Sequence, residues 1–302
     1  MLDLIIIGSG MAGMTTALYA LRNNKSVLIL EKENVGGQIA KSPKVENYPT
    51  KKEVSGAQLA DELFDQIMSL GVNFELEDVQ SVVKENGVFK VITDYATHEA
   101  KSVVVATGTT VRKLGLENEE KFIGKGIYYC AICDGPFFAG REVTLIGDAN
   151  SALQYAIMLA SYTKKVHIVT LFDHFFGEQT MIDAVKNIPN IEISHCLKAV
   201  KLNGQESLES ITFERDDKTT VTLETNACFV AIGSLPDNSA FSHLADLDPN
   251  GYIISDEGCK TKTEGFFVAG DCRTKQIRQV TTAIADGAVA GTLACRYIDS
   301  LK

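Results

Sequence analysis

Four consecutive apolar residues, Leu4 to Ile7, run into the glycine-rich segment GSGMAG and then into MTTALYALRNN, before a second apolar run from Val27 to Leu30. Short apolar runs flanking a helical stretch predict strand, helix, strand. SGAQLADELFDQIMSLG comes next as an amphipathic helix with a serine cap, Asn86-Gly87 marks a hairpin, and VVVATG (Val103 to Gly108) closes the series. From Val143 the same order recurs: a strand, the turn GDANSA, a helix to about Ser161, the strand VHIVT, a hairpin at Asn203-Gly204 and a closing strand FVAIG ending at Gly233. The chain carries an internal repeat.

The last segment, GFFVAGDCRTKQIRQVTTAIADGAVAGTLACRYI, predicts one more strand and helix and is too short for a domain. It is expected to complete the first half. Residues 1–110 and 237–302 then form one domain and 111–236 a second, inserted one, with crossings near Thr109 and Leu235 as a hinge.

A chain of 302 residues that is 45% apolar can fill two cores. It has no apolar run of membrane-spanning length, and its start, MLDLIIIGSG, lacks a basic leader and cleavage site, so a soluble cytoplasmic protein is expected. A net charge of −10 argues against broad nucleic-acid binding. Of seven cysteines, Cys196, Cys228, Cys259, Cys272 and Cys295 stand isolated and read as small buried apolar residues. Only Cys130 and Cys133, in YYCAICDGP, are closely spaced.

GSGMAG supplies a complete GxGxxG at Gly8, Gly10 and Gly13, and Glu31 lies 18 residues beyond Gly13 at the end of the next strand. The first glycine makes the turn, the second admits a pyrophosphate and the third packs helix on strand, while the carboxylate accepts from a ribose. An acidic residue there disfavours a 2'-phosphate, leaving FAD or NAD. The CxxC is a redox dithiol or half of a metal site, and no second ligand pair is present, so redox chemistry is expected and no metal. One thiolate attacks a substrate disulfide, the other resolves it, and Asp134 can move the proton.

GGQIA (Gly36, Gly37, Gln38), ATG (Ala106, Thr107, Gly108), AGD (Gly270, Asp271) and RQV (Arg278, Gln279, Val280) occur in an order that resembles the FAD signature of two-domain flavoprotein disulfide reductases. With CAICDGPFFAGREV just before the second nucleotide turn, and VENYP around Asn47, nearly the whole chain resembles the low-molecular-weight thioredoxin reductases. The resemblance implies an α/β fold of two Rossmann-like dinucleotide-binding domains, each with three ββα layers, the second inserted in the first. It implies a homodimer that binds FAD and reduces thioredoxin or a thioredoxin-like protein. It also implies Cys133 as the flavin-proximal thiol, Cys130 as the attacking one and Asp134 as the acid, with Ser9, Ala12 and Lys32 joining the other residues named around FAD.

The second turn departs from that pattern. Relatives that use NADPH have a turn resembling GGGDSA and a later HRRxxxR; here stand Gly147, Asp148, Ala149, Asn150, Ser151 and Ala152, then TLFDHFFGE without arginine. Asp148 beside a pyrophosphate costs about 1–4 kcal/mol at separations near 4 Å, and the lost guanidinium contacts cost more. A nicotinamide-independent, ferredoxin-linked flavin thioredoxin reductase is therefore expected. An NAD(P)H-dependent enzyme, a diflavin disulfide oxidoreductase and a non-catalytic redox module remain the alternatives. Phe172, Phe175 and Phe176 read as core or interface packing residues. An acidic ferredoxin needs a basic face, and Lys41 with Lys44, Arg112 with Lys113, Lys121 with Lys125, or Lys275 with Arg278 would provide one.

Overall fold

In the computed structural model the described residues are 1–42 and 45–301, and Cys133 is described through its backbone alone. The chain divides into two compact units, Met1–Thr110 with Leu235–Lys302, and Val111–Ser234. No helix among the described residues is long and apolar enough to cross a membrane.

The first unit opens with β1 (Leu2–Ile7), α1 (Met11–Arg22) and β2 (Val27–Glu31). It continues through α2 (Gly56–Ser69), β3 (Asn73–Leu76), β4 (Val79–Glu85), β5 (Val88–Thr93) and β6 (Thr97–Val105) to the first crossing, β7 (Thr110–Val111). The second unit runs α3 (Glu119–Phe122), β8 (Ile127–Tyr128), α4 (Ala131–Asp134), β9 (Glu142–Ile146), α5 (Asn150–Ala160), β10 (Lys165–Val169), α6 (Gln179–Asn187) and β11 (Ile191–Ser194). It ends with β12 (Lys198–Asn203), β13 (Ser210–Glu214), β14 (Thr220–Glu224) and β15 (Cys228–Val230); the return crossing β16 (Ser234–Leu235) precedes β17 (Phe266–Val268) and α7 (Val280–Ser300).

Both units are built on a parallel sheet, ordered β3-β2-β1-β6 in the first and β11-β10-β9-β15-β8 in the second. Besides pairing in parallel with β1 on one edge, the nine residues of β6 serve two neighbours on the other: Ala100 faces Phe89 of β5 in an antiparallel pair, while Val103–Val105 pair parallel with β17. The returning C-terminal segment thus supplies the fifth parallel strand of the first sheet. In the second, β8 fills that place from upstream in the chain.

Strand alternation then sorts the core into layers. Leu4 and Ile6 pack with α1 and α7 on one face; Ile5 and Ile7 pack with Phe89 and Val91 of the antiparallel strands on the other. The second unit repeats this, with Val143 and Leu145 against Leu153 and Ala156 of α5, and Ile146 and Val169 against Ile211 and Phe213 of β13. These are two α/β units of the Rossmann-like ββα kind.

Local signals behave as read in two places and differ in two. Ser55 Oγ accepts from the Gln58 amide at 3.1 Å to cap α2, and Asn86 and Gly87 turn the β4–β5 hairpin with φ of 50° and 82°. Asn203-Gly204 forms no two-residue turn: residues 204–209 separate β12 from β13, because Leu208 is drawn fully into the core and its amide donates to the Lys125 carbonyl at 2.8 Å. Helix α6 has no counterpart in the sequence reading; only Ile182 and Val185 are buried, too few to show a helical period.

Helices α1 and α7 meet backbone to backbone. A Cβ on Gly287 would lie 2.4 Å from the Ala12 carbonyl oxygen, and one on Gly291 2.8 Å from that of Thr16. Gly287→Ala gains about 1 kcal/mol of helix propensity but forces an overlap costing about 1–3 kcal/mol. The overlap is with backbone and dominates, so urea unfolding should show a net loss of stability; a midpoint at or above wild type would contradict this packing.

Candidate functional sites: a dinucleotide cradle, a redox turn and a closed second turn

In the first unit, three separated motifs converge on the β1–α1 turn. Gly8 has φ +106°, and a Cβ there would meet the Ala106 carbonyl oxygen at 2.5 Å, locking the turn against the end of β6 and leading into Thr107 and Gly108. A Cβ on Gly13 would strike the Gly8 oxygen at 2.0 Å, whereas one on Gly10 would meet nothing within 4 Å. Two glycines are required by the protein itself, and the middle one faces open space where a ligand backbone can approach.

The Gly36 amide donates to the Ser9 carbonyl at 3.0 Å, a Cβ on Gly37 would lie 3.4 Å from Gly10 Cα, and one on Gly270 would lie 2.8 Å from the Ala12 Cβ. Glu31 receives the Ser9 amide and hydroxyl on Oε2, each at 2.8 Å, and the Glu33 amide on Oε1 at 3.0 Å. Its carboxylate therefore braces the turn, with lone pairs left for a ribose. Lys32 is exposed. Gln38 donates to the carbonyl and hydroxyl of Thr109, and Asn47 Nδ2 donates to Gln279 Oε1 at 3.2 Å. Gln279 caps α7, which starts at Val280.

Asp271 carries the clearest fit for a ligand. Its Oδ1 is buried without a hydrogen-bond partner, and burial pushes its carboxyl upward against the pull of Lys275 and Arg278. A buried acceptor left open beside the glycine turn suits a hydroxyl-bearing dinucleotide. Arg278 lies 4.1 Å over the Tyr252 ring. Sequence reasoning missed Asp286, an acid inside α7 that binds Arg273, Lys275 and the Gly270 amide. Lys275 is thus buried in an ion pair, not part of a docking face; its basic appearance in the sequence concealed an internal partner.

In the second unit, Cys130 is disulfide-bonded and Cys133 lies three residues on in α4, its side chain outside the described residues. The Asp134 amide donates to the Cys130 carbonyl at 3.0 Å, closing one tight turn. Half-burial raises the Asp134 carboxyl above its usual range, which favours a carboxylic acid able to give up a proton. The isolated cysteines are free thiols, Cys196 half-buried and the rest buried; burial pushes Cys259 up to about 12 and Cys272 to about 11. The four buried ones are poor nucleophiles. No group of metal-ligating side chains occurs among the described residues.

The turn at Gly147 keeps its frame and is covered by a neighbouring segment. A Cβ on Gly147 would lie 2.4 Å from the Ala231 oxygen, the same packing demand met by Gly8. The segment after β10 folds over the start of α5: the Phe176 amide donates to the Asp148 carbonyl at 2.7 Å and the Glu178 amide to Asn150 Oδ1 at 2.7 Å. Asn150 Nδ2 donates back to Glu178 Oε1 at 3.3 Å, and a Cβ on Gly177 would lie 3.5 Å from the Asn150 amide nitrogen. Backbone of residues 176–178 and the Glu178 carboxylate therefore lie against the start of α5. Phe175 is buried against His195, whereas Phe172 and Phe176, 46% and 56% exposed, pack edge-to-face on each other at 5.1 Å outside the core.

A glycine cradle with an open acceptor, joined in one chain to a second unit bearing a disulfide, defines a dinucleotide-binding redox protein of two Rossmann-like units. Residues 2–287 match the family described as Pyridine nucleotide-disulphide oxidoreductase, and the chain belongs to that family. It is 37% identical to the thioredoxin reductase of Ureaplasma parvum over 98% of this chain and 96% of that one. The solved thioredoxin reductase of Lactococcus lactis matches with a TM-score of 0.97 at 30% identity, over 99% and 100% of the two chains. A ferredoxin-flavin thioredoxin reductase from Clostridium acetobutylicum matches at 27% identity with a TM-score of 0.55, over 99% and 98%. Thioredoxin reductases of this family are FAD-binding.

Burial also pushes the Asp148 carboxyl up. A carboxylate whose folded pKa is raised weakens the fold once pH rises through its titration and has no effect below it. Asp148→Asn should therefore raise the thermal midpoint at neutral pH, with the gain shrinking as pH falls into the carboxylate range. An unchanged gain at acid pH would show that charge is not the cause.

Proposed function

We propose that this protein is an FAD-dependent disulfide reductase that passes electrons through a Cys130–Cys133 dithiol to thioredoxin or a thioredoxin-like protein, with reduced ferredoxin as donor. The first-unit cradle would hold FAD through the Gly8–Gly13 turn, Glu31 and the open Asp271 oxygen. When bound, FAD accepts electrons singly or in pairs and delivers a pair. The Cys130 thiolate attacks the substrate disulfide and expels one substrate thiolate. The Cys133 thiolate then displaces the second, leaving the protein disulfide oxidised and two electrons on the substrate. Asp134, held toward its acid form, supplies the proton that a departing thiolate takes up.

The observation that carries the donor assignment is the latch between Asn150 and Glu178 over the second turn. Backbone and carboxylate stand where a pyrophosphate would have to lie, with Asp148 adjacent. Two observations favour NAD(P)H instead: the family's own description, and the intact strand–turn–helix frame of β9 and α5. Of the basic pairs available to an acidic iron–sulfur partner, Lys44 lies outside the described residues, Lys113 is paired with Glu120, and Lys121 and Lys125 are exposed beside Gln205, Glu206 and Ser207. That exposed pair is the basic face we favour for ferredoxin.

Anaerobic mixing decides the donor. Flavin absorbance should bleach with chemically reduced ferredoxin and persist with NADPH or NADH; rapid bleaching by either nicotinamide overturns the ferredoxin assignment. Cys133→Ser should keep its flavin and lose thioredoxin reduction by about 10³-fold or more; retained turnover would remove Cys133 from the mechanism, and a wild-type protein with no thioredoxin reduction to lose would be a non-catalytic flavin module or redox sensor.

A further inference from the structure

We propose that Asp286 is the positioning residue of the FAD cradle, fixing the Gly270–Asp271 turn so that the open Asp271 oxygen stays available to the cofactor. The inference rests on the FAD reading and adds a residue to it. Asp286 is 7% exposed, and its carboxylate accepts four hydrogen bonds. Arg273 gives two, Nε to Oδ2 and Nη2 to Oδ1, both at 2.9 Å; Lys275 Nζ donates to Oδ2 at 2.8 Å. The fourth comes from the Gly270 amide at 3.0 Å.

That fourth bond separates this cluster from an ordinary buried ion pair. Gly270 has φ +83°, and its Cα approaches the Ala12 methyl so closely that an added Cβ would lie 2.8 Å from it. The residue is therefore held between Asp286 on one side and the GSGMAG turn on the other. Asp271 comes next in the chain, with Oδ1 buried and unpartnered. Burial alone would favour a neutral Asp286, but its Arg273 and Lys275 partners outweigh it and hold the carboxyl low, so it stays ionised.

Lys275 also acts on Asp271, drawing its carboxyl downward. It stands between two acids and is bonded to one. Removing the Asp286 charge leaves Lys275 without its ion pair and makes Asp271 the remaining carboxylate in its field. The oxygen kept open for the cofactor then gains a competing internal donor, and the Gly270 amide loses its charged acceptor.

FAD titrated into flavin-stripped protein, followed by flavin fluorescence and with circular dichroism to confirm folding, tests this without turnover. Asp286→Asn should weaken FAD binding by about tenfold or more, as should Asp271→Asn. The double variant should lose much less than the product of the two, since both act through one turn. Lys275→Met, which leaves the Arg273–Asp286 pair and the Gly270 bond intact and removes the competing donor, should keep near wild-type affinity, and added to Asp286→Asn it should recover part of the loss and serves if Asp286→Asn alone fails to fold. Wild-type FAD affinity in Asp286→Asn, a tenfold loss in Lys275→Met alone, or losses of the Asp286 and Asp271 variants that simply multiply, overturns the positioning role. Failure of the wild-type protein to bind FAD would instead remove the FAD reading itself.

Discussion

Close backbone approach in the β1–α1 turn is the constraint on which the cofactor cradle depends. A side chain at Gly13 would fall 2.0 Å from the Gly8 oxygen, and one at Gly8 would fall 2.5 Å from that of Ala106. Only glycine lets β1, α1 and the end of β6 meet there. Once they meet, the α1 amino terminus, Glu31 through Ser9, and the β17 turn through Ala12 are all aimed at one opening.

The second unit shows which part of this constraint belongs to folding and which to ligand. Gly147 keeps the approach to Ala231, and Ala152 packs close to Gly147. The fold survives because these contacts are internal. Ala149 occupies the position equivalent to Gly10, the one glycine of the first turn whose added Cβ would meet no protein atom. Next to it the Glu178 amide donates to Asn150 Oδ1, a contact of the chain with itself. Packing and binding are carried by different glycines within one motif, so one can be lost while the other persists.

Polar groups divide in the same way. Asp286 resolves its burial entirely inside the protein, through two cations and an amide. Asp271 leaves an oxygen open and Asp134 sits with a raised carboxyl, neither resolved by partners among the described residues of its own unit. Lys275 illustrates the hazard of reading charge from sequence alone: a lysine near an arginine suggests a basic surface until its carboxylate partner, eleven residues on, is found inside a helix.

Much was legible in the chain by itself. Apolar runs of four or five residues, glycine spacing and the repeated order of elements determine two α/β units and the positions of the glycine turn and the CxxC, because each depends on neighbours in sequence. The odd departures in GDANSA and TLFDHFFGE were equally visible as residue types. What tertiary structure decided depends on contacts between distant segments: that Glu178 folds back on Asn150, that Leu208 enters a core and opens a hairpin loop, that β6 divides its length between β5 and β17, and that Asp286 anchors Gly270. Periodicity reports which face of an element is apolar, but which partner neutralises a charge or fills an opening is set only when the chain has closed on itself.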